Sequence, residues 1–66
     1  MNVAKLKAKI VEREMNVEAL ADLIGMDRSG LYRRLNDAEK ITIGEAMKIK
    51  EALGMTNKEA SDIFLA

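Results

Sequence analysis

Apolar residues recur along this chain at helical spacing. Val17, Leu20, Ala21 and Ile24 fall at i, i+3, i+4 and i+7, the stripe of one helical face. Leu6 with Ile10, Leu31 with Leu35, and Ile49 with Leu53 repeat at i and i+4, and Ile63 with Phe64 completes the series. No segment alternates with the period of a strand, no proline interrupts the chain, and no low-complexity stretch occurs. The pattern predicts five helices over about 3–14, 17–24, 28–36, 43–53 and 57–65, each burying its apolar stripe in one core.

Polar punctuation marks the same boundaries. A helix start is favoured by a polar capping residue with an apolar residue just before it, which packs on one in the second turn. That arrangement occurs as Met1-Asn2 with Leu6, Met15-Asn16 with Leu20, Met26-Asp27 with Leu31, Ile41-Thr42 with Ala46, and Met55-Thr56 with Ala60. Thr42 with Glu45 and Thr56 with Glu59 have the spacing of a capping box, which satisfies two amides reciprocally. Gly25 and Gly54 follow the second and fourth predicted helices, where a residue without Cβ takes the left-handed conformation that ends a helix. The expectation is an all-α protein with residues 1–66 as a single domain.

Composition removes most other chemistries. Sixty-six residues make one domain, and a chain this short buries only about 60% of its unfolded surface. There is no cysteine, hence no disulfide and no thiolate zinc site. There is no histidine, which removes the usual general base and the commonest metal ligand. The carboxylates of Glu12, Glu14, Glu18 and Asp22 sit on short helices with no nucleophile or pocket expected beside them. No enzyme activity, cofactor, metal or small-molecule substrate is therefore expected. No apolar run reaches the roughly 18 residues of a membrane span, no signal-peptide pattern opens the chain, and Val3 to Val11 is broken by Lys5, Lys7 and Lys9. A soluble cytoplasmic protein is expected.

Formal charge is zero, but it is unevenly spread. Lys5, Lys7, Lys9 and Arg13 against Glu12 leave residues 1–13 at +3; Glu14, Glu18, Asp22 and Asp27 set 14–27 at −4; Arg28, Arg33, Arg34 and Lys40 against Asp37 and Glu39 return 28–40 to +2. The first and third helices are thus the basic ones, and local phosphate contacts, not net charge, govern counterion release.

The segment NVEALADLIGMDRSGLYRRLN, residues 16–36, reads as two short helices meeting at a glycine turn. With the capped ITIGEAMKIKEALGM segment after it, the chain resembles the small phage repressor and Cro-like (XRE-type) helix-turn-helix family. The resemblance implies a compact five-helix lambda-repressor-like domain whose third helix enters the DNA major groove. It places Arg28, Ser29, Tyr32 and Arg33 at base-reading positions. It sets Gly30 where the helix backbone comes close to DNA, and the amides of Val17 and Glu18 opposite a phosphate. Arg34, Asn36 and Lys40 are expected at the DNA backbone. The chain differs from the family pattern at three points. Val17 stands where a glutamine often contacts phosphate, Asp27 stands where serine or threonine usually caps the third helix, and Arg34 occupies a commonly apolar position with Leu35 one step later. The far end of the third helix is therefore expected to be rotated.

Each candidate has a plainer role beside the functional one. Arg33 has the planar fork that meets O6 and N7 of guanine, or it pairs with Asp37 one turn on. Tyr32 either contacts a thymine methyl or phosphate, or packs as a partly buried aromatic. The lysines of the first helix are expected to be mostly solvated. The function expected is a sequence-specific DNA-binding transcriptional regulator, acting as a homodimer on a palindromic double-stranded operator. The dimer surface is expected at the fourth and fifth helices and the apolar end from Ile63 to Ala66, or that end closes the core instead. The competing expectation is a helical protein-interaction module, antirepressor or antitoxin-like, that keeps the fold and binds a protein partner; the zero net charge favours it, and three outward arginines oppose it.

Overall fold

The computed structural model describes residues 1–37 and 40–65, so Ala38, Glu39 and Ala66 lie outside the described residues. Five helices and no strand occur among those described: α1 (Val3–Glu12), α2 (Val17–Ile24), α3 (Arg28–Asn36), α4 (Ile43–Ala52) and α5 (Asn57–Phe64). The second and third match the spans expected from the apolar pattern. The others each end one or two residues early, because Arg13, Leu53 and Leu65 serve as C-caps. Among the described residues no helix is long and apolar enough to cross a membrane.

Four of the five expected N-caps close through their side chains. Asn2 accepts from the Lys5 amide and Asn16 from the Ala19 amide, while Thr42 with Glu45 and Thr56 with Glu59 form complete capping boxes. Asp27 is the exception. It occupies the N-cap position of α3 but makes no side-chain cap hydrogen bond, because its carboxylate accepts the Ser29 hydroxyl instead. Every apolar residue preceding a cap is held: Met55 is buried in the core, and Met1, Met15, Met26 and Ile41 pack against it.

Three helix ends share one geometry. Glu14, Gly25 and Gly54 have φ of 56°, 71° and 62°, and the following methionine amide reaches back to the carbonyl of Ile10, Ala21 or Lys50 at 3.0, 2.9 and 3.0 Å. This is the six-to-one bond of a Schellman close. In each case the same methionine then precedes the cap of the next helix, so Glu14-Met15-Asn16, Gly25-Met26-Asp27 and Gly54-Met55-Thr56 are three copies of one reversal.

The core gathers Leu6 and Ile10 of α1, Leu20, Ala21 and Ile24 of α2, Leu31 and Leu35 of α3, Ile49, Leu53 and Met55 around α4, and Ile63 of α5. Val17 and Phe64, expected inside, pack against this cluster while remaining partly exposed. α2 packs on both α3 and α4, and α1 packs on α5. The Asn2 amide also donates to the Ile63 carbonyl at 2.6 Å, tying the start of the chain to α5. The radius of gyration is 10.4 Å, close to the ~11 Å expected for a folded chain of this length.

Candidate nucleic-acid interface

α3 divides cleanly into two faces. Gly30, Leu31 and Leu35 are buried, while Arg28, Ser29, Tyr32, Arg33 and Asn36 are exposed. These outward positions are spaced i, i+1, i+4, i+5 and i+8, one helical face. The left-handed Gly25 turns the chain between α2 and α3, and the completely buried Leu20, Ala21 and Leu31 lock the two helices into the common core. The four residues expected to read bases thus lie together on the side of the helix away from the core.

Their partners differ. Arg28 donates through Nε and Nη2 to the two carboxylate oxygens of Asp22, at 3.3 and 2.7 Å. The Tyr32 hydroxyl donates to Glu18, and the residue is 43% exposed, so it is a surface aromatic and not a core one. Ser29 donates to Asp27. These contacts hold the carboxyls of Asp22, Glu18 and Asp27 below the usual carboxylate range, through the Arg28 guanidinium, the Tyr32 hydroxyl and the Ser29 hydroxyl respectively, and Glu18 in turn raises the Tyr32 phenol. All three carboxylates are therefore charged at neutral pH. The Arg33 side chain makes no hydrogen bond or ion pair among the described residues, although its charge helps to hold the Asp27 carboxyl down. The pairing with Asp37 considered above does not form; Asp37 lies instead 3.8 Å from Lys40, which is 67% exposed along its side chain.

Arg34 is engaged within the fold. Arg34 turns to α4, where its Nε donates to Glu45 at 2.8 Å and its Nη1 to the Gly30 carbonyl at 3.0 Å. Gly30 is buried, and a Cβ there would stand 3.3 Å from the Arg34 guanidinium. The missing side chain makes room for Arg34. The odd position of Arg34 in the apolar pattern was the available signal that it bridges two helices. At the start of α2, Asn16 satisfies the Ala19 amide, and the Glu18 carboxylate in the first turn accepts from its own backbone amide.

On the first helix one lysine departs from the expected solvation. Lys9 is buried and pairs with Glu59 and, at 3.1 Å, with Glu12. It stands three residues after Leu6, within the buried stripe, so its ammonium had to find a partner. Arg13 donates to the Leu53 carbonyl at 2.7 Å and the Gly54 carbonyl at 3.4 Å, the end of α4. Lys5 and Lys7 remain exposed. Much of the basic charge of α1 is thereby used inside the molecule.

Away from this face, Ile43, Met47 and Leu65 are 83%, 59% and 82% exposed and line a groove between α4 and α5 together with Ile41 and Phe64.

Comparison with known protein families matches most of the chain. The model of the Cro/C1-type HTH DNA-binding domain aligns with residues 5–62. No curated protein and no solved structure matches the chain.

Proposed function

The chain belongs to the Cro/C1-type HTH DNA-binding domain family, and from that premise we propose that it is a sequence-specific transcriptional regulator of the phage repressor and Cro type, placing α3 in the major groove. The observation that carries this reading is the outward face of α3, where Arg28, Ser29, Tyr32 and the unpaired Arg33 stand together beside the Gly25 turn. Arg33 presents a complete guanidinium fork, the group that recognises guanine bidentately. Asn36 at the end of α3 and Lys40 in the segment after it contact the DNA backbone, and the start of α2 faces a phosphate. Arg34 holds α3 against α4 and contributes to DNA binding through that packing.

The protein acts as a homodimer in the cytoplasm, with Ile43, Met47 and Leu65 of each copy meeting across the α4–α5 groove. Ala66, the last residue of the apolar end considered for this surface, lies outside the described residues. Two such domains read half-sites about 34–36 Å apart on a palindromic operator. A second reading, a protein-interaction module on the same fold, is favoured by one observation: Glu18 and Asp22 bring two carboxylates onto the face that would meet phosphates. Selection of bound sequences from random duplexes separates the two. The regulator recovers a motif with two related half-sites about one helical turn apart, whereas recovery of unselected sequence at every salt concentration refutes DNA readout.

A further inference from the structure

The side chains of α3 are not aimed by α3 alone. Glu18 and Asp22 lie at i and i+4 on α2, Arg28 and Tyr32 lie at i and i+4 on α3, and the two pairs form parallel rungs across the outward side of the turn. Arg28 meets both oxygens of Asp22 through two different nitrogens, which leaves only Nη1 without a partner among the described residues. A guanidinium gripped at two points loses most of its rotamer freedom and keeps one orientation. We propose that Asp22 and Glu18 are positioning residues for readout, so that base preference at Arg28 and Tyr32 is set by carboxylates on α2. The inference rests on the DNA-binding reading above.

Stability does not account for the Arg28–Asp22 pair. Its side chains are 57% and 60% exposed, and exposed ion pairs contribute little to folding. A cation at the first position of a helix also opposes the helix dipole, so Arg28 gains nothing from its own helix there. What the pair does is restrict direction, and exclusion of water on docking strengthens it by lowering the local dielectric. The restriction has a cost, because Asp22 and Glu18 carry negative charge toward phosphates. Removing Asp22 therefore has two effects of opposite sign: general attraction to DNA rises, and discrimination at one base pair falls. A merely structural residue would lower both together.

The test compares the wild type, Asp22→Ala, Asp22→Asn, Arg28→Ala and the double variant Asp22→Ala/Arg28→Ala on the duplex selected by the wild type and on an unrelated duplex. Asp22→Ala is expected to lower the ratio of selected to unrelated binding about tenfold, to raise affinity for the unrelated duplex, and to leave preference at the base pair read by Arg33 unchanged. In the Arg28→Ala background the same change is expected to leave base preference as it was. Asp22→Asn keeps the shape of the side chain and carries the comparison if the alanine variant melts below the assay temperature. Full preference in the Asp22 variants, or an equal loss with and without Arg28, overturns the inference while leaving DNA readout intact. A wild type that selects no motif overturns the readout itself and this inference with it.

Discussion

Arg33 and Lys40 illustrate what a single position can and cannot do on this surface. Arg33 is exposed and unpaired among the described residues, so its loss changes contacts to a partner more than the fold. Arg33→Ala is expected to relax preference at one base pair by about 1–3 kcal/mol, measured on duplexes substituted at each position. Lys40→Ala is expected to weaken all sequences alike and to reduce the salt slope by about one. Glu14 presents a different case. It holds φ of 56° with a side chain, where Gly25 and Gly54 do the same without one, and a Cβ in that region meets the following carbonyl. Glu14→Gly is expected to raise stability by about 1 kcal/mol, seen as a higher thermal midpoint; an unchanged or lower midpoint would show that the site is not strained. The apolar stripes made the inward residues legible in the sequence, and with them the outward four on α3. The conformation of Glu14 was not legible, because glutamate carries no preference for the left-handed region.

Helix ends do most of the organising at the scale of elements. The three repeats of left-handed residue, methionine and cap let one methionine close the helix behind it through its amide and staple the one ahead through its side chain. The staple half was legible in the caps, whereas the closing half needed backbone geometry. The two capping boxes show the same double use. Glu45 accepts the Thr42 amide and Arg34, and Glu59 accepts the Thr56 amide and Lys9. The box spacing was readable over four residues; the cationic partners lie on other helices, and Lys9 is separated from Glu59 by most of the chain. Lys9 pulls Glu59 down from its ordinary 4.5 to about 2, with the Thr56 amide assisting. A carboxyl depressed in the folded state contributes stability that is complete above the unfolded value and is lost as pH falls through the folded one. Thermal midpoints of the wild type are therefore expected to fall between about pH 4.5 and 2, and Glu59→Gln is expected to be less stable at neutral pH with a shallower decline over that window. Parallel acid profiles for the two proteins would contradict the assignment.

The whole molecule is a small core with two outward surfaces of different character. Its five largest fully buried side chains, Leu6, Leu20, Leu31, Ile49 and Leu53, come from the first four helices and their ends. Leu20→Ala is expected to cost about 2–5 kcal/mol, a large part of the stability of so short a chain. On one side stands the polar face of α3; on another, Ile43, Met47 and Leu65 leave apolar surface open between α4 and α5. Met47→Glu is expected to shift sedimentation from twice the chain mass to the single chain and to weaken operator binding while preserving helix content. The buried stripe of α3 made its outward face legible in the sequence, whereas the exposure of Ile43 and Met47 was not marked there, and charge counting overstated the basic surface. Lys9, Arg13, Arg28 and Arg34 all have carboxylate or carbonyl partners within the fold, and among the described arginines Arg33 stands out because its side chain does not. The claim that α3 reads bases is tested most directly by methylation interference, which blocks guanine N7 in the major groove. The expected result is interference at guanines in two clusters about one helical turn apart, with one guanine per half-site losing its effect in Arg33→Ala. Binding indifferent to guanine methylation, or an identical pattern in the variant, would contradict it.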